Sequence, residues 1–461
     1  MTGYEQITAA VPAAGRRFRA YTAKHLSALA ERAGLESADR LAVQAVATVL
    51  PFRTNSYVLD CLIDWDAAPD DPIYRLVFPQ PDMLPEADVR ILAGLLSRGA
   101  PEHELSSAAR AVRMRLNPHP AGQLALNIPA LADEPVPGIQ HKYPETVLLF
   151  PKQGQTCHAY CTYCFRWAQF VDEPGMKMAT DDMARVTAYL RNHPEVTSVL
   201  ITGGDPMIMS TDVLRRYIEP LLDPRLAHIE SIRIGSKSLS YWPQRFVSDP
   251  DADDTLRLFE EVAQSGRVLA FMAHFSHPRE LEPPLVAEAV RRIRSSGAVI
   301  RTQAPLIRSI NDDPAVWAAM WRRQTRMGMV PYYMFVERDT GPQGYFAVPL
   351  ARGYEIYRDA YRSVSGLSRT VRGPSMSATP GKLCIDGVVE VAGEKVFALH
   401  MIQARDAELV GKPFFARFDP DAIWLSDLEP AFSSRFPFEP DPAELPGLWA
   451  PAVFESFESA S

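Results

Sequence analysis

The sequence holds no stretch of 18 or more consecutive apolar residues, so it offers no membrane-spanning helix. Cysteine is scarce: five in 461 residues, namely Cys61, Cys157, Cys161, Cys164 and Cys384. An odd number on so long a chain argues against an extracellular disulfide framework. Positive charge is not in excess either. With 48 Lys and Arg against 56 Asp and Glu, the net charge of −8 disfavours a nucleic acid or an anionic membrane held by bulk charge. Small-molecule partners are expected instead. The first 25 residues interleave Pro12, Arg16, Arg17, Arg19 and Lys24 with short apolar stretches, and lack the continuous apolar core of a signal peptide. A cytoplasmic protein is expected. No internal repeat beyond a strand-helix unit and no low-complexity tract is present.

Proline, by contrast, is abundant: 40 residues of 461, well above the usual ~5%. Many elements must therefore be short and sharply ended. Apolar residues at 47% and charged residues at 23% suffice for a sizeable core. From Gly15 to Leu50 the spacing is helical, with a C-cap expected at Gly34. The stretch from Pro51 to Pro85 reads as irregular, Glu86 to Leu116 as helix, and 117–144 as a Pro-rich connector. From Glu145 the rhythm changes. Apolar runs recur at Thr146–Phe150, Val196–Thr202, Ile229–Ile234, Val268–Ala273, Val299–Ala304 and Val330–Val336. Helical stretches lie between them, at Thr180–His193, Asp253–Ser265, Pro284–Ser296 and Pro314–Met327. Six such units predict an α/β protein with a partial or full (β/α) barrel. Residues 1–135 form a helical, Pro-rich N-terminal region, 136–385 the barrel, and 386–461 a C-terminal extension without an assignable motif.

Each apolar run is followed by polar oddities, where barrel enzymes place reactive groups. After the first comes QGQTCHAYCTYCFR; after the second, GGDP; after the third, GSKS; after the fourth, HFSHP. Gln303 lies in the fifth, within RTQAP, and ERDTGP follows the sixth. Cys157, Cys161 and Cys164 form CxxxCxxC. Thiolates at this spacing converge on one soft centre, zinc or an iron-sulfur cluster. A closed zinc site needs four donors; His158 is the nearest fourth, but its adjacency to Cys157 points it awkwardly. Three thiolates on a four-iron cluster instead leave one iron open for chemistry.

CxxxCxxC followed by Phe165, after the first strand of a β/α barrel, resembles the radical S-adenosylmethionine (SAM) superfamily. VPGIQHKYPETVLLF at 136–150, CTYCFR at 161–166, LITGGDP at 200–206, HFSHPRE at 274–280, QAPLIRSINDDP at 303–314 and PYYMF at 331–335 are similar to the lysine 2,3-aminomutase family. So is the FRTNSYVLDCLIDW passage upstream. The resemblance spans about 51–385 and implies a barrel of radical SAM type. It implies a 4Fe-4S cluster on Cys157, Cys161 and Cys164, whose open iron chelates S-adenosylmethionine. An electron from a donor such as flavodoxin or ferredoxin would cleave that molecule to a deoxyadenosyl radical. Gly203, Gly204 and Asp205 of the GGDP turn, with Ser236, His274 and Gln303, are the implied SAM contacts. Arg166 matches the arginine that receives the substrate α-carboxylate. Lys382 matches the lysine that carries pyridoxal 5'-phosphate (PLP), and Lys142 one of two basic residues that hold its phosphate. The implied reaction moves an amino group between the α and β carbons of an amino acid, in a protein that forms homo-oligomers.

The sequence also departs from that family. Thr146 stands where the second phosphate-binding arginine is usual, and the glycine-rich run before Lys382 is shortened to Pro380-Gly381. The two acidic positions that receive the lysine ammonium fall near Glu337, Arg338 and Asp339, with Arg338 at the ungapped match, and at Ser375. A cation and a neutral hydroxyl do not suit a terminal ammonium, so a substrate other than lysine is expected, with a neutral or anionic side chain. The zinc-binding cysteines that some members carry near the C-terminus are absent, and no zinc is expected. The alternatives are a PLP-independent epimerase, dehydratase or peptide-modifying enzyme on the same barrel, a modifier of a protein lysine, and a non-catalytic electron carrier.

Overall fold

The computed structural model describes residues 17–171, 175 and 177–440. The first part of the basic N-terminal stretch, 1–16, and the end of the C-terminal extension, 441–461, lie outside the described residues. In the N-terminal region, α1 (Ala23–Arg32) and α2 (Ser37–Val49) are separated at Gly34, whose φ of +78° lets the chain leave α1 as expected of a C-cap. Within 51–85, read as irregular, there is one π-helical turn (Val58–Leu62) and a helix, α3 (Pro72–Val77). Asp71 caps α3 by accepting from the Tyr74 amide at 2.8 Å. The expected helix over 86–116 is two, α4 (Glu86–Ser97) and α5 (Glu102–Arg115), parted by Gly99 at φ +63° and by Pro101.

The barrel is an open sheet of eleven strands hydrogen-bonded in chain order. They are β1 (Ile139–Tyr143), β2 (Thr146–Leu149), β3 (Ser198–Ile201), β4 (Ser231–Ser236), β5 (Val268–His274), β6 (Val299–Leu306), β7 (Val330–Val336), β8 (Arg372–Ser377), β9 (Gly381–Val391), β10 (Glu394–Ala404) and β11 (Pro413–Arg417). Strands β2 to β8 are parallel, β1 pairs antiparallel at one edge, and β9 to β11 run antiparallel at the other. The crossovers carry α6 (Met183–Arg191), α7 (Thr211–Ile218), α8 (Ala252–Gln264), α9 (Pro284–Ser295), α10 (Pro314–Arg326) and α11 (Leu350–Arg362). The six expected strands form, and a seventh parallel one, β8, joins them. Its sequence RGPSMS has no apolar run, which is why composition does not announce it.

Strand periodicity divides inside from outside. On β4, Ile232 and Ile234 are fully buried in the core, whereas Arg233 and Gly235 line the cavity within the sheet's curve. The barrel does not close by a ladder. Side chains span the gap instead: Gln403 of β10 donates to Glu145, Arg405 to Asn127, and Lys142 of β1 to the Ala378 carbonyl. Strand β9 runs across residue 385, so the segment after the expected barrel continues its sheet. The N-terminal helices share one core with the loop after β2: Leu26, Val46 and Leu92 belong to the same buried cluster as Ala159, Tyr163 and Trp167.

Candidate active site

The cysteine loop is fastened from both sides. Asn55 donates to the carbonyls of His158 at 3.1 Å and Tyr241 at 2.9 Å, while its Oδ1 accepts from the amides of Tyr57 and Val58. The Thr162 amide donates to the Leu76 carbonyl at 2.9 Å. From the other side comes the GGDP turn, whose Gly204 and Asp205 amides donate to the carbonyls of Gly154 (3.1 Å) and Thr156 (2.7 Å). A Cβ on Gly204 would stand 2.4 Å from the Thr156 oxygen, and Gly203 holds φ +135°. Gly204 is therefore required by the close approach of two backbones, and Gly203 by its positive φ.

Cys157, Cys161 and Cys164 line one cavity of about 330 Å³. Burial raises the pKa of all three thiols, that of Cys164 to about 12, with Cys161 as its second cause. Arg53, Lys237 and Arg166 offset this only in part, and thiols so raised are deprotonated most readily on a metal. Among the described residues, these three sulfurs do not all lie within 4.8 Å of one another, a spread wider than one small ion needs. That spread and the soft donor set fit a multi-iron cluster. His158 is buried and packs edge-on to Phe18, its ring centroid 5.7 Å away; burial lowers its pKa to about 3 and keeps it neutral.

Gly203, Gly204, Asp205, Ser236, His274 and Gln303 all line the same cavity. Asp205 accepts from Ser236 Oγ (2.8 Å) and from the amides of Met207 (3.0 Å) and Lys237 (2.9 Å). Its carboxylate is thus spent pinning the turn to the end of β4. His274 and Gln303 are register partners on β5 and β6, and β6 continues past Gln303 to Leu306. Burial, then Lys237, holds His274 well below the usual imidazole range, and its Nε2 meets Tyr163 OH at 2.8 Å. Lys237, which has no place in the motif reading, forms a buried ion pair with Glu280 at 2.6 Å.

Lys382 lies across the cavity on β9, buried against the Tyr333 ring at 4.4 Å and donating to Gln403 Oε1 at 3.1 Å. Burial, then Arg233, lowers its pKa to about 8. Lys142 is held well below the usual amine range by burial, then by Arg338, Arg405 and Lys382. Arg233 reaches Thr146 Oγ1 at 3.4 Å, and its Nε is buried without a partner. An arginine from β4 thus occupies the space beside the position where an arginine was expected on β2. Arg166 is buried, stacked on Phe150 and Phe165 at 4.7 and 4.8 Å, with Nη1 unpartnered and a pKa lowered to about 10 by burial.

Of the substrate positions, Arg166 and Arg338 reach the cavity, whereas Asp339 and Ser375 are not on its wall. Ser375 is fully buried and donates to the Met334 carbonyl at 3.4 Å. Asp339 sits 3.6 Å from Arg338 Nε, and its backbone carbonyl accepts from Asn117. Glu337 does line the cavity, and burial pushes its carboxyl well above the usual range. Trp424, from the C-terminal extension, places its ring 5.9 Å from Arg338. Arg233 and Gln403 belong to the site without a sequence motif to mark them, whereas Glu337 stands in the ERDTGP run after the sixth strand.

No family profile matches the chain. A protein of Aquifex aeolicus (strain VF5), provisionally named L-lysine 2,3-aminomutase, is 31% identical over 394 residues, 84% of this chain and 90% of its own length. The chain belongs to the lysine 2,3-aminomutase family of radical SAM enzymes. Other members align over less. The L-lysine 2,3-aminomutase of Clostridium subterminale is 29% identical over 51% of this chain and 53% of its own length, and that of Bacillus subtilis (strain 168) 27% over 51% and 46%. The chain spans about half the length of these two curated relatives. Among solved structures, a radical SAM methyltransferase from Sphaerobacter thermophilus overlays with a TM-score of 0.36 at 14% identity, covering 63% of this chain and 93% of its own. Streptococcus suis SuiB bound to S-adenosylmethionine gives 0.34 at 12%, covering 59% and 56%. No helix among the described residues is long and apolar enough to cross a membrane.

Proposed function

We propose that this family member is a PLP-dependent 2,3-aminomutase that converts an α-amino acid other than lysine to its β-isomer. One observation carries the reading: a half-buried lysine whose pKa is lowered to about 8 shares a single cavity with three half-buried cysteines. The cysteines fit a 4Fe-4S cluster with one iron free for S-adenosylmethionine. Lys382 fits the aldehyde of PLP, because burial keeps more of its amine neutral and nucleophilic near physiological pH. Lys142 and the unpartnered Nε of Arg233 fit its phosphate. When bound, the cluster and S-adenosylmethionine supply a radical able to take hydrogen from an unactivated carbon, and PLP supplies the π-system through which nitrogen migrates.

The chain's own residues do the rest by position. Arg166 offers its free Nη1 to the substrate α-carboxylate, and the aromatic faces of Phe150 and Phe165 fix the plane of its fork. His274, neutral and tied to Tyr163, adds a polar edge at the end of β5 without adding charge. The cavity walls hold Lys382 and the cysteines around one shared space.

The charge around the cavity supports a substrate without a terminal ammonium. Lys142, Arg166, Arg233, Lys237, Arg338 and Lys382 line it, against Asp205 and a buried Glu337 whose carboxyl is held above its usual range, and Lys237 is paired with Glu280. A phosphate and one α-carboxylate account for part of that excess, and Arg338 then faces the substrate side chain. A lysine ammonium there would meet Arg338. The cofactor reading is tested by borohydride fixation of PLP followed by peptide mass analysis. A label on Lys382 supports it. Absent labelling, together with an absorbance spectrum unchanged by Lys382→Ala, would instead favour a PLP-independent enzyme on the same barrel.

A further inference from the structure

Among the described residues, outside the cavity that holds the cysteine triplet, one set of three donors is close enough to share an ion. Cys384, Asp386 and His400 place one ligand atom each within 4.8 Å of one another. The placement follows from the β9–β10 hairpin. Cys384 and His400 are direct cross-strand partners, so their side chains share a face. Asp386 lies two residues beyond Cys384, where the ladder passes from Ile385 to Gly387 while the partner strand advances one residue. Asp386 is therefore the extra residue of a bulge, a device that re-aims a side chain. Its carboxylate meets His400 Nδ1 at 2.7 Å.

We infer that Cys384, Asp386 and His400 form a site for a divalent cation of borderline softness, zinc first. One thiolate, one imidazole and one carboxylate are a zinc donor set, and tetrahedral zinc completes its coordination with water. All three residues line an outer cavity of about 640 Å³, together with Tyr354, Tyr357 and Arg372, so the remaining position opens to solvent-filled space. None of the three lines the inner cavity. Lys382 lines the inner cavity and Cys384 the outer one. A metal here would fasten β9 to β10 immediately beyond Lys382.

The test uses the full chain with its iron-sulfur cluster reconstituted, so that the cysteine triplet is occupied. After equilibration with zinc and removal of loose metal, zinc and iron are counted per chain in the wild type, Cys384→Ser and His400→Ala. The expected result is one zinc per chain in the wild type, lost in both variants at unchanged iron. Cobalt(II) as a probe should give a thiolate charge-transfer band in the wild type, absent in Cys384→Ser. Asp386→Asn, a milder change, should weaken cobalt binding by at least the ~10-fold that losing even an outer-shell partner costs. Zinc content equal in the wild type and both variants, none included, would overturn the assignment. So would a cobalt spectrum that Cys384→Ser leaves intact.

Discussion

The two walls of the inner cavity are built differently. The cysteine wall is held by backbone: the amides of Gly204 and Asp205 and the side chain of Asn55 all bond to main-chain groups of one loop, and glycines are required where the turns touch. The lysine wall is held by side chains from distant segments, with Lys382 on Gln403, Gln403 on Glu145, and Arg405 on Asn127. Backbone contacts fix a loop whatever reaction follows, whereas side-chain contacts can be exchanged one at a time.

The sharpest way to separate the two walls is to remove one function from each. Cys164→Ala should abolish both iron binding and deoxyadenosine release. Lys382→Ala should abolish PLP binding and amino-group transfer, yet keep iron content and anaerobic cleavage of S-adenosylmethionine. Loss of the cluster in Lys382→Ala would show the walls to be one unit. Arg166→Ala should come next, lowering kcat/KM by about 100-fold, or about 2.7 kcal/mol, the scale of a buried charge-assisted carboxylate contact. Arg166→Lys should recover only part of this, because an ammonium cannot reproduce the fork.

A smaller effect reads the lysine wall by pH. The folded-state pKa of Lys382 is lowered, so its amine is protonated below about pH 8 and neutral above it. The rate of PLP uptake should therefore rise through pH 8. Arg233 is the second cause of that lowering. In Arg233→Gln the rise should move to higher pH, and PLP affinity should fall by about 10-fold, or about 1.4 kcal/mol. An unmoved pH profile would separate Arg233 from Lys382. The last effect, at the clamp, is one of stability and leaves the chemistry alone. Asn55→Ala strands two backbone carbonyls and two amides and should cost about 1–3 kcal/mol in thermal unfolding of the reconstituted protein, with PLP affinity unchanged.

The same contrast governs what could be read from the sequence. The cysteine triplet, GGDP and His274 follow apolar runs and Gln303 lies within one, and the parallel order of the strands brings them to one cavity. Six parallel strands were legible because each is a short apolar run between helices. Strand β8 was not, since Gly373, Pro374 and Ser375 bury small side chains that leave no apolar signature. Arg233 beside Thr146, Glu337 on the cavity wall, and Asp339 beside Arg338 depend on side-chain direction at positions one residue apart. Spacing cannot resolve that difference. The ungapped match put Arg338 and Ser375 forward together, but the fold brings only the first to the cavity. The C-terminal segment offered no motif because its contribution, Gln403, Arg405 and Trp424, is a set of contacts rather than a chemistry.

The most direct test of the aminomutase assignment is anaerobic incubation of the reconstituted enzyme with S-adenosylmethionine, PLP, a reductant and each of the twenty amino acids. Products are read by mass spectrometry and NMR, with Lys382→Ala in parallel. The structure predicts a β-amino acid from a substrate with a neutral or anionic side chain, absent with Lys382→Ala. β-Lysine as the main product would contradict the substrate assignment, and no β-amino product from any of the twenty would contradict the aminomutase itself.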